Sequence, residues 1–538
     1  MKLVTVAEMQ AIEREANEQG WTYAQMMEKA GQGLAEIVLS FYGYEETSVA
    51  TGLVGSGNNG GDTLIALESL ARAGWQARAY LVRPRPAGDP LVARLVAAGG
   101  AVTSVAEDPE LHKLTDWVNN STVLLDGIFG TGIRLPLVGE AARVLAHVRG
   151  LENRPPVVAV DCPSGVDLDS GQAAEETIPA DVTVCMAAVK IGLLKFPAYR
   201  LAGEIEVVDI GLPAGLPAWE RVQRVVVDDD LVRSLLPERR ADSHKGTFGT
   251  VGVVAGSVNY TGAVLLCSRA AHRMGAGLVQ AAVPAPLHAA LAGHFPEATW
   301  VLLPSEMGVI AEGAADVLRK HLGRVNVLLW GPGFGVEEPT AAFVRRLVDR
   351  QGRAARRGGI GFVQPPVGEG AADSAAQLPP MVIDADGLKL LARLPNWPAL
   401  LPQDSILTPH PGEMAVLTGQ AVETIQADRL AAACHSAAEW GQVVVLKGAI
   451  TVIAAPDGRC GVIPVASSAL AHAGTGDVLA GIIAGLRAQG TAAYEAALAG
   501  AWLHAQAGLL AAESLGHEAA VLAGDLIEAL PEVLAWVW

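Results

Sequence analysis

Cysteine is scarce: Cys162, Cys185, Cys267, Cys434 and Cys460 are all there is in 538 residues, an odd number with no C-x-x-C pair. A disulfide framework and a cysteine zinc site are thereby excluded, and a reducing, cytoplasmic setting is expected. Basic residues are also in deficit, 39 Lys and Arg against 57 Asp and Glu, for a formal net charge of −18. Recognition of a phosphate backbone needs a basic surface, so no nucleic-acid partner is expected and small molecules are the natural ligands. Uninterrupted apolar runs are missing too, despite a hydrophobic fraction of 51% and a mean hydropathy of +0.31. The best candidate, Ala496 to Leu515, is broken by His504, Gln506 and Glu513 and reads as a buried helix, not a membrane span. The first nineteen residues carry Lys2, Glu8, Glu13, Arg14 and Glu15 between apolar positions, the pattern of an amphipathic helix and not of an export signal.

A chain of this length exceeds one ordinary core, so two domains are expected. Short apolar runs alternate with helix-like segments throughout: Ser48 to Val54, Gln76 to Val82, Thr122 to Leu125, Val157 to Val160, Val182 to Met186 and Glu204 to Ile210 read as strands. After Pro213, Gly215 and Pro217 a second series begins, with strands expected at Val251 to Ala255, Leu278 to Val283, Val325 to Trp330, Met381 to Ile383, Ser405 to Leu407 and Val443 to Leu446. The rhythm predicts two α/β domains with parallel sheets, divided near residue 220 into 1–220 and 221–538. Arg350 to Pro380, rich in Gly, Ala and Pro, reads as a surface loop without chemistry.

In the first half, Gly55-Ser56-Gly57-Asn58-Asn59-Gly60-Gly61-Asp62 follows a strand and opens a helix, a G-x-G-x-x-G turn whose amides can cradle a phosphate. A tight turn without ligand would explain the glycines but not the two asparagines and the aspartate. The next strand ends at Arg83 and Arg85, where an NAD dehydrogenase would place an acidic residue; these arginines would tolerate a 2′-phosphate but read first as solvated surface residues. Asp126 and Asp161 each end an apolar run, followed by Gly127 to Gly132 and by Cys162-Pro163-Ser164-Gly165. Carboxyl ends of parallel strands line the ligand crevice, so the three strand ends are expected to share one site; capping by Asp and Ser explains one of them, not all three.

In the second half, Ala473-Gly474-Thr475-Gly476-Asp477 precedes an apolar helix. The amides of Thr475 and Gly476 would form an anion hole, with Asp477 as the adjacent base for a substrate hydroxyl; the alternative is an N-cap aspartate. Gly331 to Gly335, Asp384 to Gly387, Thr408 to Glu413 and Lys447 to Thr451 each follow a strand-like run and should gather at one sheet edge.

Asn58 to Asp62, Asp126 to Gly132 and Asp161 to Asp167, with Met27 to Gly31 and Lys190 to Leu194, resemble the epimerase domain of the bifunctional NAD(P)H-hydrate repair enzymes. The second-half motifs, with His244-Lys245-Gly246 and Gly252 to Ser257, resemble the dehydratase domain of the same family, and the likeness covers most of the chain. It implies a Rossmann-like three-layer domain followed by a ribokinase-like α/β domain. It further implies a potassium ion on Asn59, Asp126 and Ser164. The hydrated dinucleotide would lie along Asn58, Asn59, Gly60, Gly61 and Asp62, then Gly130, Thr131, Gly132, Ile133, Arg134, Leu135 and Pro136, and Asp161. In the dehydratase it would contact Ala263, Gly333, His410 and Asp477, with the adenine nucleotide on Lys447, Gly448, Ala449, Ile450, Thr451 and Gly476. Lys29 and Thr63 depart from the family's Asn and Gly. The implied activity is epimerisation of (R)- and (S)-NADHX and NADPHX, then dehydration of the S epimer at the expense of ADP or ATP with magnesium, in a homo-oligomer without membrane attachment. Bacterial members use ADP and eukaryotic ones ATP, and the sequence does not itself declare which. Epimerisation at C6 needs an acid/base group beside the carbinol, for which Asp161 is the candidate; Asp477 is the candidate for the dehydratase. Two rivals are a two-domain kinase for a small hydroxylated heterocycle and a dinucleotide-sensing first domain without catalysis.

Overall fold

A computed structural model of the chain describes residues 1–43, 48–349 and 378–538. Most of the expected loop at Arg350 to Pro380 lies outside the described residues. The chain forms two compact units, Met1–Val226 and Val227–Trp538. The first unit runs six residues past the boundary expected near 220, because Val226 N donates to Met1 O at 2.8 Å and Arg224 pairs with Glu8.

The first unit is built on a seven-stranded sheet whose spatial order is Ala101–Ser104, Gln76–Leu81, Val49–Val54, Val123–Gly127, Val157–Val160, Val182–Met186 and Glu204–Val208. Every pairing is parallel. Strands such as Val157–Val160 are buried at every position, as a sheet covered by helices on both faces requires. The first of these strands in sequence, Val49–Val54, lies inside the sheet, with its successors on one side and Val123–Gly127 on the other. The chain therefore reverses direction between them, and the crevice at this switch point is where an open α/β sheet binds ligands. The amphipathic segment at the start becomes the helix Val6–Glu18, capped by Thr5 and Glu8 in a reciprocal capping box.

The second unit carries strands in the order Cys460–Ile463, Thr451–Ala454, Val443–Leu446, Ile406–Leu407, Met381–Ile383, Val327–Trp330, Thr250–Val254, Leu278–Pro284 and Thr299–Leu303. From Val443–Leu446 onward all pairs are parallel, and the first two strands close the sheet as an antiparallel hairpin. Its switch point lies between Thr250–Val254 and Val327–Trp330, and Gly256 N donates to Pro332 O at 2.9 Å across it. The segment that raised the hydropathy is the helix Ala493–Leu515, buried along most of its length. Among the described residues no helix is long and apolar enough to cross a membrane.

Alanine and glycine supply much of the apolar content because helices here pack closely. A Cβ at Gly481 of the helix Thr475–Ala488 would lie 2.4 Å from the Cys267 carbonyl of the helix Ala263–Arg273. Gly481→Val must push these helices apart and is expected to cost about 1–3 kcal/mol, the usual penalty for overpacking. The urea midpoint should fall with the slope unchanged; an unchanged midpoint would show that the contact does not set the packing.

Candidate active sites

In the first unit Val54 runs into Gly55-Ser56-Gly57, and the helix Asn58–Arg72 starts with an uncapped first turn. The turn can be this tight only without side chains: a Cβ at Gly60 would lie 2.1 Å from Gly55 O. Gly60 and Gly61 are consequently buried packing positions, while Asn58 faces solvent. Arg85 overturns the expectation of a solvated side chain. Its side chain is 10% exposed, pairs with Asp89 at 2.7 Å and donates to Gly55 O at 2.8 Å, bracing the turn. Arg83 is exposed, with its guanidinium 4.8 Å from the Phe129 ring.

The three strand ends do converge. Asn59 Nδ2 donates to Phe129 O at 3.2 Å and to Val160 O, and Asp126 Oδ2 accepts from Ser164 N at 2.8 Å. Thr63, where the family has Gly, donates from Oγ1 to Asn59 O at 2.7 Å and so supports the loop. Asp126 is fully buried, and its Oδ1 has no hydrogen-bond partner among the described residues. Burial raises its pKa, opposed by its bonds to Ser164. A buried carboxylate oxygen left without a donor, beside the Ser164 hydroxyl and the Asn59 amide, fits a monovalent cation held by oxygen.

Next to it a cleft is lined by Glu13, Asn58, Asn59, Asp62, Thr131, Asp161 and Lys190, among others. Asp161 takes a positive φ of 65°, a conformation Asp tolerates better than most residues. Its Oδ1 accepts from Met186 N at 3.0 Å and from the buried Lys190 ammonium. Burial works to discharge Lys190, but Asp161 outweighs it and holds the lysine pKa above its ordinary value. Asp62 is pushed the other way: burial first, then the charges of Asp161 and Glu13, raise its pKa well above the carboxylate range. Glu13 is raised by burial as well. The cleft therefore joins an Asp–Lys ion pair to carboxyls that favour the protonated form, the arrangement that separates acid from base. Of the loop Gly130 to Pro136 only Thr131 lines this cleft. Gly130 packs against the Asn59 side chain, Ile133 joins the core, and Gly132, Arg134, Leu135 and Pro136 are not part of its lining. Glu13 was hidden in an ordinary amphipathic helix without a local sequence signal, while Lys190 stood in a segment of the family resemblance but its pairing with Asp161 depends on a buried two-residue strand.

In the second unit Gly474, at φ 90°, is the N-cap of the helix Thr475–Ala488, and Asp477 is its third residue. The capping alternative for Asp477 is thus excluded. The anion hole also shifts by one residue. Thr475 N is already given to His472 O at 3.4 Å, so in the first turn of this helix the amides without a partner among the described residues are those of Gly476 and Asp477. Behind them Asp384 Oδ1 accepts from Thr408 Oγ1 at 2.8 Å and from Lys447 Nζ at 2.5 Å, and Lys447 lies 3.9 Å from Glu413. A Cβ at Gly476 would be 3.4 Å from Lys447 Nζ. Burial, then Asp384, raise the Asp477 pKa to about 7, with Lys447 pulling it down.

His410 proves to be neither a core residue nor a bystander. Its side chain is 52% exposed, and its Nδ1 caps the helix Pro411–Thr418 by accepting from Gly412 N at 3.0 Å. Gly333 and Ala263 meet at the switch point, where a Cβ on Gly333 would sit 2.9 Å from those of Ala263 and Tyr260. In the loop after Lys447, Gly448 and Ala449 are exposed, Ile450 is buried, and Thr451 Oγ1 donates to Gly448 O at 3.2 Å. Arg429, which the sequence reading missed, clamps this loop from a remote helix through Leu446 O and Ile450 O. Burial lowers its pKa to about 10.

Two α/β units, each built on a mainly parallel sheet and gathering an Asp–Lys pair and further carboxyls at the carboxyl ends of its strands, have the architecture of a two-site enzyme for small molecules. Residues 23–192 match the profile of the YjeF-related protein N-terminus, and residues 251–353 and 368–532 that of NAD(P)H-hydrate dehydratase. The chain is 37% identical to the bifunctional NAD(P)H-hydrate repair enzyme Nnr of Moorella thermoacetica, covering 99% of this chain and 97% of that one. It is 34% identical to that of Thermofilum pendens, over 99% and 96%. Among solved structures, the ADP/ATP-dependent NAD(P)H-hydrate dehydratase of Bacillus subtilis, co-crystallised with ATP and Mg²⁺, matches at 30% identity. It covers 58% of this chain and 99% of that one, with a TM-score of 0.46. The chain belongs to the family of bifunctional NAD(P)H-hydrate repair enzymes.

The raised Asp477 pKa has a direct signature. A ¹³C-carboxyl titration should place its midpoint near 7, and Lys447→Met should move it higher, because the ammonium favours the carboxylate. The native state binds this proton more tightly than the unfolded chain, so stability falls as pH rises from 3.8 to about 7. Asp477→Asn should accordingly be more stable than the parent at pH 8, with the difference vanishing below pH 3.8; a midpoint near 4 would refute the arrangement.

Proposed function

We propose that the chain restores hydrated nicotinamide cofactors in two steps, with the first unit exchanging the C6 epimers of NADHX and NADPHX and the second dehydrating the S epimer. The observation that carries the reading is Asp477, a carboxyl with a pKa of about 7 beside the free amides of Gly476 and Asp477 and the Lys447–Asp384 pair. In this site Asp477 accepts the C6 hydroxyl proton as the oxygen bonds to the terminal phosphorus of the nucleotide. The bond from that phosphorus to the leaving AMP breaks when ADP is the donor, or to ADP when ATP is. The two amides and Lys447 stabilise charge on the moving phosphoryl group. The ring nitrogen lone pair then breaks the C6–O bond, phosphate departs, and loss of the C5 proton restores the dihydropyridine.

Among the described residues no group of three His, Cys, Asp or Glu could hold a metal alone. Such a site fits magnesium that arrives on the nucleotide phosphates and takes at most one or two carboxylates. ADP is favoured as donor, with ATP as the alternative; the dehydratase of Bacillus subtilis that the second unit resembles is ADP/ATP-dependent.

In the first unit Asp161 takes up and returns the C6 hydroxyl proton as the stereocentre is transiently lost, either by C6–N cleavage to the aldehyde with the proton passing to the ring nitrogen and reclosure, or by loss and return of water, while Lys190 holds its carboxylate in place and Asp62 and Asn58 bind the dinucleotide. Asn59, Asp126 and Ser164 would hold potassium, which supplies fixed positive charge that orders the loops and is a weak Lewis acid. The five cysteines, none of them in a disulfide among the described residues, suit a reducing cytoplasm.

Incubation with both NADHX epimers, magnesium and either ADP or ATP should return all the material to NADH, followed by absorbance of the reduced nicotinamide. No recovery with either nucleotide would defeat the reading. Asp161→Asn should slow epimer exchange by about 10²–10⁴-fold, leaving only the S epimer repaired; undiminished exchange would remove its acid/base role. Replacing potassium by tetramethylammonium should slow exchange while dehydration of the S epimer continues; equal loss of both would contradict a cation site confined to the first unit.

A further inference from the structure

The helix Ala493–Leu515 places His504, 8% exposed, with Nε2 at 2.9 Å from the carbonyl of Thr475. A carbonyl only accepts, so Nε2 carries the proton. Burial, with Lys447 adding to it, lowers the pKa of the ring to about 4 and keeps it neutral. The same turn is held a second time, by Thr475 Oγ1 against Leu470 O and His472 O, each at 2.9 Å.

The consequence follows from peptide planarity. The Thr475 C=O and the Gly476 N–H belong to one trans peptide unit and point in opposite directions. A donor that fixes the carbonyl therefore aims the amide. We propose that His504 is a positioning residue for the phosphate-binding turn, holding the Thr475 carbonyl so that the Gly476 N–H is directed at the terminal phosphate of the nucleotide. Lys447 Nζ stands beside Gly476, 3.4 Å from where a Cβ would lie, so the ammonium and the aimed amide are neighbours. The carbonyls of a helix's first turn already accept from the following turn, and His504 adds to the Thr475 carbonyl a second, buried donor that solvent cannot replace. The inference rests on the dehydratase reading for its substrate, but not for its test.

The full-length protein is compared with His504→Leu and His504→Gln, the second retaining a donor that reaches the carbonyl. Binding of Mg–ADP and Mg–ATP is measured by calorimetry, and dehydration kinetics with respect to nucleotide and to hydrated dinucleotide separately. His504→Leu should weaken nucleotide binding about tenfold, the size of one lost hydrogen bond. It should raise the nucleotide KM likewise and leave the dinucleotide KM within about twofold. His504→Gln should recover most of the loss, and epimer exchange should be unaffected. Nucleotide affinity within twofold of the parent in a folded His504→Leu overturns the proposal. So does an equal rise in both KM values that His504→Gln does not repair, since that marks a merely structural histidine. If His504→Leu does not fold, His504→Asn, whose amide is too short to reach, takes its place. A parent protein that binds nucleotide but restores no NADH would defeat the dehydratase reading alone, and calorimetry would still decide the role of His504.

Discussion

A carboxylate buried at the end of a parallel strand has to be compensated, and both units are organised around the same solution: an Asp–Lys ion pair at the sheet's carboxyl edge. Asp161 pairs with Lys190 in the first unit and Asp384 with Lys447 in the second. Each pair then acts on a second aspartate. Asp62 is raised by burial and by Asp161, and Asp477 by burial and by Asp384. One carboxylate fixed by a lysine and another pushed toward neutrality give each site a held charge and a mobile proton, which is the separation that acid–base chemistry at neutral pH needs.

That arrangement is possible only because backbone comes unusually close to backbone at both switch points. In the first unit the turn at Gly55 to Gly60 folds back on itself without side chains, and Arg85 locks its carbonyls from the neighbouring strand. In the second, Gly333 nests between Ala263 and Tyr260, and small residues let the helix Thr475–Ala488 lie close to Ala263–Arg273. The amides exposed by these approaches are the groups proposed to bind anions. Alanine and glycine, which made the composition look membrane-like, serve close packing around two polar sites.

Much of this was legible in the sequence. Strands rich in Val and Leu and buried on both faces, such as Val157–Val160 and Val443–Leu446, announced themselves by composition and length, as did the turns that follow them. The strand Ala101–Ser104 and the hairpin of Thr451–Ala454 and Cys460–Ile463 did not, since four residues with a threonine, a cysteine or a glycine resemble a loop. The capping reading of Asp477 and the solvated reading of Arg85 each rested on local chemistry that is sound in general. Tertiary partners decided otherwise at both positions.

The sequence by itself determined the two α/β units and which strand ends carry Asp126, Asp161 and Asp384, because these follow from periodicity and from residues adjacent in the chain, and its motifs, Gly474 to Asp477 among them, carried the resemblance to the family. Only the tertiary structure decided that Glu13 and Lys190 enter the first site, that Arg429 clamps the loop after Lys447 and that His504 holds Thr475. Such contacts join segments far apart in sequence. Their energetics, and the shifts of Asp62 and Asp477 above all, depend on distance and burial, which exist only once the chain has folded.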